Sequence, residues 1–488
     1  MEQKSLTNKF ISATKWSTVT EIVAKLVTPI TNMILARIIS PEAFGVVATV
    51  TMIMSFADMF TDAGFQKYLI QHEFKSEEEK FKNANVAFWT NLAISCFLLM
   101  FIIVFRNKLA SMVGNPGLGN VISISSIQLI LTSFSSIQMA LYRREFDFKT
   151  LFIVRLVAIC IPFLITLPLA YAKLSYWSII IGGICIQLSN AIILTIKSKW
   201  KPRIFYEVQL LKKMIGFSIW SLVEAISIWA TVWADMFIIG NSLNQYYLGI
   251  YKIATAMVNN IMSIVTAAIV PVLFSTLSRL KDDNEQFENI YLTTQRAVSI
   301  FIFPLGFGIY LYSDLATQII LGSKWGEASY VIGVWALTSS IMIVLGNFCS
   351  EVYRAKGRPK LSFIAQMLHL IVLVPACMVS SRYGFKALVY SRSWIRMEFI
   401  LIHLIIMKEV VGFSILRMFK NIKATVVSTL IMGCFGYGAK QLHSGIIWSI
   451  TSILICSLVY FGCLYLFSDI RNEINIVIRK IRSKLIKL

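Results

Sequence analysis

The chain is a succession of apolar blocks, each about twenty residues long, joined by short polar loops. A spanning helix needs ~20 mostly apolar residues. A bilayer accepts lipid-exposed backbone only as helices or closed barrels, because no water is present to satisfy free N–H and C=O groups. Fourteen such blocks can be read, at roughly 15–37, 44–64, 84–105, 121–141, 150–172, 176–196, 215–240, 248–274, 291–312, 329–350, 361–381, 384–407, 421–441 and 445–467. The apolar runs are long and do not alternate, which excludes a β-barrel. The expected fold class is therefore an all-α polytopic membrane protein with about 14 transmembrane helices. Composition agrees: 57% of the 488 residues are hydrophobic and only 15% are charged, where a soluble chain of this length would carry far more charge.

Loop charge orients the blocks. The loops on the side of both termini hold 31 Lys and Arg residues, against 7 on the other side. By the positive-inside rule both termini are expected to be cytoplasmic. The net charge of +21 is thus a matter of topology rather than a nucleic-acid surface. All eight cysteines fall inside apolar segments, so no disulfide framework is implied. CxxC and HxxxH spacings are absent, so no metal site is expected. The N-terminal MEQKSLTNKFISATKW lacks the compact apolar core and cleavage site of a signal peptide, and the first span is expected to stay. The outer loops are short and poor in His, Asp and Glu. That argues against an enzyme working on the outer face and for transport. The last stretch, INIVIRKIRSKLIKL, is a basic amphipathic segment suited to anionic cytoplasmic lipid.

A bilayer-buried charge costs at least ~2.5–3.5 kcal/mol on insertion scales, so such residues mark wet cavities or partners. In VEAISIWATVWADMFIIG, Glu224 and Asp235 lie eleven residues apart, nearly three turns, on one helical face. They are candidates for binding H+ or Na+, or for balancing cavity cations; no other cofactor is expected. Glu21 and Lys25, one turn apart in the first span, form either a structural ion pair or part of the same cavity. Arg37 is either a gate contact or an anchor. In SRSWIRMEFILIH, Arg392, Arg396 and His403 share a face. Arginine's planar fork suits phosphate, so this stripe would face an anionic cargo. The alternatives are pairing with Glu398 or another carboxylate, or contact with lipid phosphates. His369 reads as an ordinary polar residue.

The chain also echoes itself. WSTVTEIV starts at Trp16 and WSLVEA at Trp220, and each is followed by a similar second helix start, AFGVVA at Ala43 and YLGIYKIA at Tyr247. The offset equals six spans. An even offset relates two halves by an axis along the membrane normal, with substrate bound between them. The expected divisions are a first lobe at 1–200, a second at 201–410 with the basic link 197–213, two further spans at 411–468, and the tail at 469–488.

Six stretches together resemble the polysaccharide-transporter branch of the multidrug/oligosaccharidyl-lipid/polysaccharide flippase superfamily: LARIISPEAFGVVA (35–48), DAGFQKYLIQ (62–71), LYRREFDFK (141–149), ADMFIIG with YLGIYKIA (234–254), VPVLFSTLSRL (270–280) and YRAKGRPK (353–360). The resemblance implies two pseudo-symmetric six-helix lobes forming a V around a central cavity, and alternating access. It implies as cargo a lipid-linked oligosaccharide, on an undecaprenyl diphosphate carrier, moved from the cytoplasmic to the outer leaflet. Membrane lipids, a polysaccharide polymerase and a chain-length regulator are the expected partners. No shared motif assigns the site residues. Drug or cation antiport, from a neighbouring branch, is the rival reading, and a membrane-embedded polymerase or glycosyltransferase the more distant one.

Overall fold

Every regular element among the described residues is helical. The computed structural model describes residues 16, 19, 20, 23–25, 27–62, 64–443, 445–468, 470 and 471; side chains at 62, 217–221, 224, 268 and 271 are outside that description. Glu21, the side chain of Glu224 and the basic tail therefore fall outside it. Eleven helices among the described residues are long and apolar enough to cross a membrane. Of the other expected spans, 15–37 is only partly described, and 215–240 lies within the 35-residue helix Val208–Ser242. The stretch 384–407 carries four charged residues and a histidine and forms two helical segments, Phe385–Trp394 and Arg396–Ile406.

Helix starts on the basic-loop side follow capping chemistry. Ser76, Asp147, Asp283 and Ser414 each accept a backbone N–H of the first turn with their side chains, satisfying donors a helix start leaves open. The helix Glu77–Met112 has 36 residues and so extends about 54 Å. That exceeds the ~30 Å hydrocarbon layer, so its acidic first turn stands outside the apolar region.

The chain divides into two compact units. One runs to Ile253 and includes Cys377–Phe385; the other comprises Ala254–Ala376 and the residues from Lys386 onward. In the first unit the familiar stretches interlock. Arg144 Nη1 donates to the carbonyls of Leu69, Ile70 and His72 at 2.9, 3.2 and 2.6 Å, closing the end of the helix Phe65–Gln71. Glu145 binds Lys80 Nζ at 3.0 Å, and Glu77 binds the same ammonium at 2.7 Å. Asp147 caps the following helix through Thr150. Beneath lie the buried Phe65, Leu69, Phe88, Ile137 and Trp200.

Two glycines fix a helix crossing in the same unit. A Cβ on Gly45 would meet the backbone carbonyl of Gln245, and one on Gly249 that of Pro41. Gln245 precedes Gly249 by four residues, as Pro41 precedes Gly45. The contact is reciprocal, as a two-fold relation between the echoing segments requires.

The second unit repeats the first unit's helix ending. Phe146 and Gly357 both have positive φ, 58° and 72°. Phe146 N donates to Arg143 O and Asp147 N to Tyr142 O; Gly357 N donates to Arg354 O and Arg358 N to Tyr353 O. Tyr-Arg followed by a left-handed residue thus ends a helix in the same way twice. Lys356 then donates to Lys281 O and Asn284 Oδ1, both at 2.7 Å. Elsewhere in this unit Tyr460 donates to Ile300 O at 2.8 Å, tying the last apolar helix to Asn284–Leu311.

Candidate functional site

Trp335 carries two arginines of the second unit on its ring. It lies on the helix Ala328–Met342, 4% exposed, and its Nε1 donates to Asn259 Oδ1 at 3.1 Å. The Arg396 guanidinium sits 3.4 Å from the indole centroid and that of Arg392 at 5.2 Å. Arg396 also donates to Ser339 Oγ at 2.5 Å, one turn along from Trp335. Cation–π contact is worth more when desolvated, and Arg392 is only 7% exposed. Two guanidiniums thus share one aromatic platform inside an apolar helical unit. Such a platform orients planar donors for an oxyanion.

His403, expected on the same face, has a different partner: Tyr353 OH lies 3.1 Å from its Nδ1 and donates to its carbonyl at 3.2 Å. Glu398 pairs with His369, Nδ1 to Oε2 at 2.8 Å. His369 is almost fully buried, and the ring of Phe399 stacks on it at 4.4 Å. Sequence reading missed this pair, because the partners lie 29 positions apart in the chain and a lone histidine in an apolar helix gives no sign of what it faces. It missed Trp335 too, since hydropathy does not distinguish a platform tryptophan from a lipid-facing one.

In the first unit, Asp235 is 2% exposed. Its Oδ2 accepts from Tyr251 OH at 2.7 Å, and its Oδ1 from the backbone N–H of Met236 at 2.7 Å. Lys252 lies within electrostatic reach of this carboxylate, its Nζ 4.3 Å above the Trp233 ring. A buried carboxylate with two donors and a cation nearby is charge-compensated. Trp229 Nε1 donates to Ser55 Oγ at 3.0 Å. Lys25 is half-buried and Arg37 exposed, each on the first helical stretch. Among the described residues no cluster of His, Cys, Asp or Glu fits a metal.

A family model described as polysaccharide biosynthesis protein matches residues 34–330. The succinoglycan biosynthesis transport protein ExoT of Rhizobium meliloti (strain 1021) is 25% identical over 319 residues, 65% of this chain and 64% of that protein. The chain thus spans just under two thirds of that relative's length. The lipopolysaccharide biosynthesis protein WzxC of Escherichia coli (strain K12) is 21% identical over 384 residues, 78% of this chain and 76% of that one. A solved structure of the lipid II flippase MurJ, in an inward closed conformation, matches with a TM-score of 0.75 over 94% of this chain and 99% of that chain, at 16% identity. A likeness at that identity shows the fold. The family match takes in more than half of the chain, from the end of the first helical stretch to the start of the Trp335 helix, and the chain belongs to the polysaccharide biosynthesis protein family.

Proposed function

We propose that this protein is a flippase that carries a lipid-linked oligosaccharide, on an undecaprenyl diphosphate carrier, from the cytoplasmic to the outer leaflet of a bacterial inner membrane. It is a transporter and not an enzyme. The observation that carries this reading is the pair of guanidiniums held on Trp335 inside an apolar helical unit, in a chain of a polysaccharide biosynthesis family. The relatives named as transport proteins and flippases support it. Cation–drug antiport would need an anionic cavity, and two arginines on one platform favour an anionic cargo instead.

The proposal includes fourteen spans, two six-helix lobes in a V around a central cavity, and both termini cytoplasmic. Lys25, Arg37, Arg392 and Arg396 hold diphosphate or sugar; Glu21, Glu224 and Asp235 balance charge or bind the coupling ion, H+ or Na+. A polysaccharide polymerase and a chain-length regulator act on the product. Replacing Arg392 and Arg396 together with Gln should leave the protein in the membrane and abolish appearance of the oligosaccharide in the outer leaflet. Unchanged export by the double variant would refute the site assignment.

A further inference from the structure

We propose that the link 197–213 is a membrane-surface anchor. Ile204 enters the acyl-chain boundary of the leaflet on the basic-loop side, and the exposed basic residues around it hold anionic phospholipid headgroups. The inference rests on the spans and not on the flippase reading, which the leaflet assay in cells judges separately.

The link joins the helices Tyr176–Lys197 and Val208–Ser242, and it is strapped to the helix Glu77–Met112. Trp200 is buried in one cluster with Phe88 of that helix, their ring centroids 5.8 Å apart. Asn85 Oδ1 accepts from Arg203 N at 3.0 Å, and Trp89 Nε1 donates to Arg203 O at 2.8 Å. Phe205 N donates to the same carbonyl at 2.9 Å, closing a three-residue turn centred on Ile204. Phe205 packs against the buried cluster, and Tyr206 OH lies 3.1 Å from Thr90 Oγ1. Ile204, at the tip of the turn, is 98% exposed. The fastenings on both sides keep it from folding back onto the core.

Depth follows from the helix that carries the strap. No charged residue lies between Lys82 and Arg106. At ~1.5 Å per residue, a ~30 Å hydrocarbon layer measured from Arg106 ends about twenty residues away, between Trp89 and Asn85. A tilt of about 20° shifts that end by about one residue. Arg203, held by those two side chains, therefore lies at the far edge of the apolar layer, and Ile204 lies there with it. The acyl boundary removes its apolar surface from water.

Charge names the leaflet's chemistry. The link carries six basic residues against one carboxylate, Glu207. Lys201 turns back onto the carbonyls of Thr195 and Ile196. Lys197, Lys199, Arg203, Lys212 and Lys213 are exposed. A basic cluster around an apolar side chain combines the two attractions that hold a segment on a membrane, apolar burial and anionic headgroups. A protein partner would have to reach into the headgroup layer to meet the same turn.

The test uses the full-length protein in nanodiscs of equimolar phosphatidylcholine and phosphatidylglycerol. Ile204→p-benzoylphenylalanine is photolysed and its adducts are identified by mass spectrometry. Glu78, on the same helix as the strap but about 42 Å from Arg106, is the comparison position and receives the same substitution. Position 204 should capture phospholipid and position 78 should not. At position 204 phosphatidylglycerol should exceed phosphatidylcholine by at least about threefold. Adding Lys199→Gln, Arg203→Gln, Lys212→Gln and Lys213→Gln should bring that ratio close to one while lipid capture persists. Lipid capture at 204 no greater than at 78 overturns the proposal, and so does equal capture of the two lipids by the protein with its basic residues intact. Adducts to a second copy of this chain in place of lipid also overturn it and assign the turn to a protein contact.

Discussion

Trp335 shows why an arginine in this fold cannot be exchanged for a lysine. The Arg396 guanidinium carbon lies 3.4 Å from the indole centroid while its Nη1 donates to Ser339. A lysine ammonium supplies charge without the planar fork. Arg396→Lys should therefore reduce export at least tenfold while leaving membrane levels normal, measured as lipid-linked oligosaccharide reaching the outer leaflet. At this scale the sequence was partly readable. Spacing put Arg392 and Arg396 on one face, and they share a platform. The same spacing included His403, which instead meets Tyr353, because a face of a helix is wide enough to touch two neighbours. Asp235 was visible as a charge in an apolar helix, but its donor Tyr251 lies on the next helix and no pattern announces it. Asp314 allows a pH test outside the spans. The Ser329 hydroxyl, and then Lys440, hold its carboxyl below the ordinary value of 3.8. A depressed value contributes stability above the unfolded-state pKa, lost as pH falls through the folded one. Thermal melting of Asp314→Asn should lie slightly below wild type at pH 7, and the gap should close below about pH 4.

Helices are where the sequence was most legible, since hydropathy and length decide them. The joints between helices were less so. LYRREFDFK is recognisable as a pattern, yet only the structure explains it: Arg144 closes one helix, Glu145 neutralises a buried lysine and Asp147 starts the next helix. Lys80 is 5% exposed, whereas Glu77 and Glu145 are 76% and 41% exposed. The costs of breaking the triad are accordingly unequal. Glu77→Gln with Glu145→Gln strands a buried ammonium and should cost about 3–5 kcal/mol. Lys80→Met leaves carboxylates that water can reach and should cost less. Denaturant or thermal unfolding in detergent ranks the two, and the reverse order would refute this assignment. The glycine crossing gives a second test. Gly45→Val or Gly249→Val pushes a side chain into a backbone carbonyl, an overpacking worth about 1–3 kcal/mol. Since both report on one reciprocal contact, the double variant should cost less than the sum.

At the scale of the whole chain, two local features bear on the internal echo of the sequence. The reciprocal contacts of Gly45 and Gly249, and the matched helix endings at Phe146 and Gly357, are what a six-span repeat predicts. The first was suggested by the echo of AFGVVA and YLGIYKIA. The second was hidden because a phenylalanine stands in one copy where glycine stands in the other, although the backbone is left-handed in both. Charge asymmetry of the loops predicts an orientation, which the proposed function includes. Function became legible only when buried charge, apolar helices and family membership were taken together. The central claim is that this charge-bearing helical fold moves lipid-linked oligosaccharide across a bilayer. The measurement that tests it most directly is the leaflet location of that oligosaccharide in cells deleted for the gene, probed with a periplasm-restricted enzyme or lectin and complemented by wild type or by Arg392→Gln with Arg396→Gln. Intact oligosaccharide confined to the cytoplasmic side, released by wild type and not by the double variant, is the predicted result. Single repeats reaching the outer leaflet without this protein, unpolymerised, would contradict it.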